Sequence, residues 1–140
     1  MTATKLPLGR KTDYPQKYAP EVLCPLARRE SRSPLGIAEP LPFAGVDIWN
    51  AWELSWLTDS GKPQTATARI IVPAESPDLV ESKSLKLYLG SFAMTRFDSA
   101  NDVAATISQG SAAPRSAGRP SRSCRRHART RPSEAIAAHV

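Results

Sequence analysis

The chain has 140 residues, of which 41% are hydrophobic, and a formal net charge of +6. No apolar run approaches the roughly 18 residues of a membrane span, and the first residues lack the basic and then apolar pattern of a secretory signal. Length and composition therefore predict a soluble cytoplasmic protein, without a membrane partner and of one domain at most.

The positive charge lies at the end of the chain. Residues 109–140 contain seven Arg and the single acid Glu134, whereas residues 1–108 contain 12 basic and 12 acidic side chains. A basic surface for nucleic acid is therefore not predicted for the body of the chain, and we expect no direct nucleic-acid partner. An Arg-rich tail that contacts phosphates non-specifically is the alternative.

Residues 1–44 contain seven prolines. Each proline removes a backbone donor and fixes φ, so this density excludes long regular elements. We predict an N-terminal arm over residues 1–44 that packs across the domain or onto a partner subunit, with a turn at residues 34–37.

An antiparallel hairpin is predicted next. Residues 46–57 form its first strand, with Ile48, Trp52, Leu54 and Trp56 on one parity and Trp49 and Leu57 on the other, so both faces are expected to be partly covered. Residues 58–63 have turn chemistry, with Gly61 suited to a positive φ. Residues 64–72 alternate as a half-buried second strand does. The tryptophans are interpreted as core or interface residues rather than as a platform for stacked bases.

Two helices are predicted after a loop over residues 74–80. The first begins at Ser82, whose hydroxyl is suited to cap the first turn. Its apolar stripe has helical spacing and comprises Leu85, Tyr88, Leu89 and Phe92. The second helix has Ser99 or Asp98 as its cap, with Val103 and Ile107 four residues apart.

The composition changes after residue 108. The last 31 residues, 110–140, contain no Leu, Phe, Tyr, Trp, Met or Lys, which is too little apolar area to offset the entropy of ordering. We predict a disordered Arg/Ala/Ser/Pro-rich tail over residues 109–140. Arginine without lysine is also typical of a shifted reading frame in a GC-rich gene, and we hypothesise that this stretch is out of frame. An intact frame through codon 108 would remove that hypothesis.

Residues 81–88 read Glu-Ser-Lys-Ser-Leu-Lys-Leu-Tyr, and they carry the polar chemistry of the chain. The Glu81 carboxylate can accept two parallel hydrogen bonds from a ring N–H and an adjacent amine; the alternative is a solvated glutamate at a helix start. Backbone N–H groups there, with the Lys83 ammonium, can hold a phosphate. The alternative is a capping Ser82 followed by an exposed lysine.

This octet resembles the signature of the NADPH-dependent 7-cyano-7-deazaguanine reductases, the nitrile-reducing enzymes of queuosine biosynthesis in tRNA modification. The resemblance covers residues 6–105 and fits the N-terminal half of the long, two-domain form. It extends to four further segments: residues 8–10, 45–57, 91–92 and 95–97.

The resemblance implies a fold, a ligand set and a subunit arrangement. The fold would be of the tunnelling type, α+β, with residues 45–108 as an incomplete domain made of a hairpin and two helices. Val80, Glu81 and Ser82 match positions that bind the substrate 7-cyano-7-deazaguanine, and Ser82 and Lys83 match positions that contact NADPH. The intact family members are expected to be homo-oligomers.

The resemblance also implies chemistry that this chain does not carry. In the family a cysteine thiolate adds to the nitrile carbon to form a thioimide, which is reduced by two hydrides. That cysteine and the proton-donating aspartate lie in the C-terminal domain. We therefore assign no catalytic residue and no metal ligand, interpret Cys24 as a small buried side chain, and expect the chain alone to be inactive. A noncatalytic ligand-binding or subunit-interaction module is the alternative.

Overall fold

The computed structural model describes residues 13–112 and 137–139. Its regular elements are β1 (Pro25–Ala27), α1 (Arg28–Arg32), β2 (Val46–Leu57), β3 (Pro63–Pro73), β4 (Asp78–Val80), α2 (Ser82–Gly90), α3 (Ala100–Ala112) and β5 (Ala137–His139), with short 3-10 helices at Pro20–Val22 and Ser33–Leu35. Both sheets are antiparallel, with strand orders β1–β4 and β2–β3–β5. The predicted α+β class, with a hairpin followed by two helices, is confirmed.

The β2–β3 hairpin follows the local sequence closely. Its strands pair from Val46↔Pro73 to Leu57↔Pro63, so β2 has its predicted bounds and β3 is one residue longer at each end. The connecting turn is closed by a hydrogen bond from the Thr58 N–H to the Lys62 carbonyl, 2.9 Å long. Gly61 adopts a φ of 80°, which glycine tolerates because it lacks a Cβ.

A β-bulge reverses the alternation of β2. The register shifts between Ala51 and Leu54, where two residues of β2, Trp52 and Glu53, lie opposite Thr67. Beyond the bulge Leu54 is 2% exposed and Trp56 is 5% exposed, whereas before it Ile48 is 54% exposed and Trp52 itself is 72% exposed. The predicted single face for these four side chains is therefore wrong, because one extra residue moves the following side chains to the other face.

The hydrophobic core lies between the inner face of the hairpin and the helices α2 and α3. Its buried members are Leu23, Leu54, Trp56, Ala68, Ile70, Val72, Leu85, Tyr88, Phe92, Val103 and Ile107. The predicted stripe of α2 lies in this core, and Leu89 is its partly buried member. The Tyr88 and Phe92 rings meet edge to face at 5.2 Å between centroids, a favourable arrangement of two aromatic quadrupoles.

The arm crosses this core in a way that the sequence predicted only in part. Ala19, Leu23 and Cys24 are buried, and residues 34–37 form the predicted turn, in which Gly36 has a φ of 70°. The predicted loop over residues 74–80 is corrected, because Asp78–Val80 is a strand that pairs with β1. Three residues are too few to show an alternation, and the partner strand lies far away in the sequence.

The end of the chain shows regular backbone in two places. Helix α3 continues to Ala112, beyond the predicted boundary at residue 108. Strand β5 pairs with β3 from Ile71↔Ala137 to Arg69↔His139. The rest of the predicted disordered tail lies outside the described residues, so disorder there stays a prediction. Within the described residues, no helix combines the length and the apolar character needed to cross a bilayer.

A glycine permits the close approach of α3 to α2. The Tyr88 hydroxyl donates to the Thr106 carbonyl at 3.2 Å, and burial raises the pKa of Tyr88, so the hydroxyl keeps its proton. A Cβ added to Gly110 would lie 2.2 Å from the Tyr88 hydroxyl oxygen. This distance is far inside van der Waals contact, so α3 packs here because residue 110 has no side chain.

We expect Gly110→Ala to lower the free energy of unfolding by about 1–3 kcal/mol, because Tyr88 or α3 must move. Gly90→Ala is the matched control, since Gly90 is also helical and a Cβ there meets nothing within 4 Å. The control should raise stability slightly, by up to about 1 kcal/mol, through helix propensity. Urea unfolding measures both variants; equal effects of the two would contradict the packing argument.

Two carboxylates lie close together where the hairpin turn meets the segment before α3. Repulsion by Asp59 raises the pKa of Asp98, and a hydrogen bond between the two carboxyl groups raises it further. A carboxyl whose pKa is higher in the folded state favours folding when protonated. Stability is therefore reduced at neutral pH and recovered as the pH falls through the raised pKa of Asp98.

We accordingly expect Asp98→Asn to raise the melting temperature at neutral pH, since it removes the repulsion. The gain should shrink as the pH falls through the raised pKa of Asp98 and be lost below the ordinary aspartate pKa of about 3.9. Thermal unfolding followed by circular dichroism across this pH range tests both statements. Glu75→Gln, at an exposed carboxylate of the β3–β4 loop, serves as the control; a gain for Asp98→Asn that is independent of pH would refute the explanation.

Candidate functional site

The predicted site residues lie at the junction of β4 and α2. Val80 ends β4 and pairs with Pro25 of β1. Glu81 has an extended backbone, with φ −67° and ψ 133°, and Ser82 is the first helical residue. The predicted start of α2 is therefore confirmed, and the change from strand to helix occurs at the one residue between Val80 and Ser82.

The Glu81 carboxylate caps α2. Its Oε1 atom accepts the Lys83 N–H at 2.9 Å, and its Oε2 atom accepts the Ser84 N–H at 2.7 Å. Glu81 is only 4% exposed, so its carboxylate oxygens are paired with backbone N–H groups rather than with water. They satisfy two of the four N–H groups that a helix leaves unpaired at its start.

The cap is therefore Glu81, and the prediction that the Ser82 hydroxyl caps the first turn is wrong. Ser82 is exposed, and its hydroxyl lies 3.5 Å from Glu81 Oε1, where it donates to the carboxylate instead. The physical reason is that Ser82 already has helical backbone, whereas a cap needs the extended backbone that Glu81 has.

This arrangement changes how the helix start can receive an anion. The N–H groups of Lys83 and Ser84, which would face a phosphate, already bind the carboxylate. The negative carboxylate itself also opposes a second anion at the same place. A phosphate site made of these backbone groups does not fit the structure. The side chains of Ser82, which is exposed, and of Lys83, which is partly exposed, remain the groups predicted to contact the cofactor.

The carboxylate retains capacity for a ligand. A carboxylate has about four lone-pair directions; the backbone of α2 uses one on each oxygen, and the Ser82 hydroxyl uses a second one on Oε1. Both oxygens lie in one plane that is fixed by the two N–H donors. When the exposed Ser82 hydroxyl turns away from Oε1, such a group can accept two further parallel N–H bonds, which is the pattern that a guanine-like edge offers.

Ser84 belongs to this site although the sequence did not single it out. The residue is fully buried, and its hydroxyl donates to the Glu81 carbonyl at 2.7 Å while accepting the Cys24 N–H at 3.0 Å. The signal that could have revealed it is its position four residues before Tyr88, on the buried face of α2. A hydroxyl on that face requires hydrogen-bond partners from another part of the chain.

The remaining candidates do not join the site as reactive groups. Cys24 is 5% exposed, which confirms the interpretation as a small buried side chain, and no cysteine in the described part of the chain carries a free thiol. Residues 13–112 and 137–139 contain no cluster of His, Cys, Asp and Glu that could hold a metal ion.

A shallow groove of about 460 Å³ lies over the bulge, lined in part by Trp52, Glu53 and Thr67.

The comparisons with known proteins agree on one family. Residues 14–117 match the family model described as nitrile reductase, 7-cyano-7-deazaguanine-reductase N-term. A relative from Paraburkholderia xenovorans (strain LB400), named NADPH-dependent 7-cyano-7-deazaguanine reductase, is 54% identical over 107 residues, which are 76% of this chain and 39% of the relative. A relative of the same name from Burkholderia mallei (strain SAVP1) is 59% identical over 97 residues, which are 69% of this chain and 35% of the relative.

The matched region contains the β4–α2 junction and all of its described neighbours. The chain spans 39% and 35% of the lengths of these two relatives. The family match ends at residue 117, nine residues beyond the predicted boundary at residue 108. It therefore includes the whole of α3.

The capping role of Glu81 has a measurable energetic consequence. We expect Glu81→Ala to lower the free energy of unfolding by about 1–2 kcal/mol, because a buried N–H group and a partly buried one lose their acceptors. Glu81→Gln retains one acceptor oxygen and should lose less. Urea unfolding distinguishes the two, with Glu75→Ala at an exposed loop position as control. A loss for Glu81→Ala no larger than for this control would show that the cap is energetically unimportant.

Proposed function

This chain belongs to the nitrile reductase family that its residues 14–117 match, and we propose that it forms the N-terminal part of an enzyme that reduces 7-cyano-7-deazaguanine to the 7-aminomethyl compound with NADPH. The observation that carries the proposal is the Glu81 carboxylate, buried and oriented by two backbone donors within the matched region. The substrate and the reaction come from the relatives' names and from the resemblance of residues 81–88.

In the proposed complex, Glu81 recognises the base. The deazaguanine ring presents a ring N–H beside an exocyclic amine, and the two carboxylate oxygens can accept both once the Ser82 hydroxyl has turned from Oε1 to the cofactor. A fixed carboxylate loses little conformational freedom on binding, which favours affinity. Val80 and Ser82 flank Glu81 along the chain and complete the proposed substrate contact.

Ser82 and Lys83 would contact NADPH through their side chains. The exposed Ser82 hydroxyl can donate to a phosphate oxygen, and the Lys83 ammonium can offset its charge. When bound, NADPH supplies the hydrides for reduction of the nitrile. The chain's own residues then have one task here, which is to hold the two ligands beside each other at the start of α2.

The fold and the assembly are proposed to follow the tunnelling type. In the described part of the chain, β2 pairs with β3 on one side, and on its other side it is met only at Leu57, by Arg96. The edge from Val46 towards Trp56 therefore presents backbone groups that another strand could pair with. Exposed Val46, Ile48 and Trp52 border this edge, and a homo-oligomer in which sheets continue between subunits would cover them.

The alternative is a noncatalytic module that binds the ligand or associates with other subunits. One observation favours it for the part of the chain that the structure describes. The family chemistry needs an accessible thiolate, and Cys24 is buried without a free thiol. We therefore expect this chain to bind the nitrile without converting it.

Isothermal titration calorimetry with 7-cyano-7-deazaguanine tests the proposal. The unmodified chain should bind the nitrile, and Glu81→Gln should weaken binding at least about tenfold, because an amide offers one acceptor where the base edge needs two. Glu75→Gln, at an exposed position of the β3–β4 loop, should change nothing.

Two outcomes would count against the proposal. Absence of nitrile binding by the unmodified chain would remove the assigned substrate, and equal affinity of Glu81→Gln and the control would remove the assigned residue. A parallel assay of nitrile-dependent NADPH oxidation separates an active enzyme from a binding module, since consumption of NADPH by these 140 residues would exclude the module.

A further inference from the structure

A serine hydroxyl is inserted into the backbone hydrogen-bond ladder that continues from the β1–β4 pair to Glu81. Beyond the last pair, Pro25↔Val80, the next residues in register are Cys24 and Glu81. An antiparallel hydrogen-bonded pair normally exchanges two direct bonds. Here only one is direct, from the Glu81 N–H to the Cys24 carbonyl at 2.8 Å.

The second bond runs through Ser84. The Cys24 N–H donates to the Ser84 hydroxyl at 3.0 Å, and that hydroxyl donates to the Glu81 carbonyl at 2.7 Å. The same residue donates its backbone N–H to Glu81 Oε2 at 2.7 Å. Ser84 therefore holds Glu81 at both its carbonyl and its carboxylate, and it sets the separation between Cys24 and Glu81.

We propose that Ser84 is a positioning residue for substrate recognition, acting through the orientation of the Glu81 carboxylate. This inference rests on the proposed function. Ser84 is fully buried, so it acts on the ligand through Glu81 rather than by direct contact. If the Ser84 hydroxyl is removed, the Cys24 N–H either stays unpaired or bonds directly to the Glu81 carbonyl. Either change releases or displaces the residue that meets the base.

The helix offers a matched control at its other end. Ser91 is 1% exposed; its hydroxyl accepts the Ala19 N–H at 3.2 Å and donates to the Tyr88 carbonyl at 2.6 Å. Ser91 thus has the same chemistry as Ser84: burial, an N–H donor from the arm, and a carbonyl three residues earlier as acceptor. It lies after the end of α2, seven residues beyond Ser84, and contacts the arm at Ala19 rather than at Cys24.

The experiment compares Ser84→Ala with Ser91→Ala in the full chain. Urea unfolding should show a similar loss of stability for both, because each leaves a buried N–H without its acceptor. Calorimetry with 7-cyano-7-deazaguanine should show affinity weakened about tenfold by Ser84→Ala alone. In a Glu81→Gln background, Ser84→Ala should have no further effect on affinity, since the two residues act as one unit.

A measurement on the unmodified chain covers the case in which Ser84→Ala does not fold. Titration with the nitrile should shift the backbone amide resonance of Cys24, which reaches Glu81 through the Ser84 hydroxyl, and leave that of Ala19 in place. An unshifted Cys24 amide, or equal affinities of the two alanine variants, would overturn the role of Ser84 alone. Absence of nitrile binding by the unmodified chain would overturn the proposed function together with this inference.

Discussion

The structure depends on how the backbone of the proline-rich arm finds hydrogen-bond partners. A largely irregular segment cannot pair all of its own N–H groups, and a buried unpaired N–H costs about 1–3 kcal/mol. Side-chain hydroxyls of α2 and the turn that follows it take the place of a neighbouring strand. We call these residues, Ser84, Ser91 and Thr95, the hydroxyl seam. They accept the backbone N–H groups of Cys24, Ala19 and Tyr18 respectively.

The hydroxyl seam connects the packing of the molecule to its candidate site. Each hydroxyl also donates to a carbonyl three or four residues earlier, so these side chains are held against the backbone of α2 and of the turn that follows it. At one end the seam places Tyr18 against Phe92, with 5.3 Å between ring centroids. At the other end it places Cys24 beside Glu81. The core and the site therefore share the same supports, and a domain whose total stability is about 5–15 kcal/mol depends noticeably on three such links.

The sequence predicted the features that neighbouring residues determine and missed those that depend on distant ones. The bounds of β2, the turn at Gly61 and the stripe of α2 follow from local alternation, glycine chemistry and helical spacing. The bulge at Trp52 needed the register against β3, and the strand Asp78–Val80 needed β1. The site residues came from resemblance to a family, whereas the residues alone left Glu81 open between a cap and a ligand contact. Ser84 was missed because its partner lies sixty residues earlier, in the arm.

The bulge has an optical consequence for anyone who studies this molecule in solution. Trp52 and Trp56 are four residues apart on one strand, yet one is 72% exposed and the other 5% exposed. Indole emission depends on the polarity around the ring, so the two fluorophores report different environments. The buried one follows the integrity of the layer between sheet and helices. The exposed one follows whatever approaches the outer surface of the hairpin. These two of the chain's three tryptophans therefore serve as a pair of spectroscopic reporters, beside the partly buried Trp49.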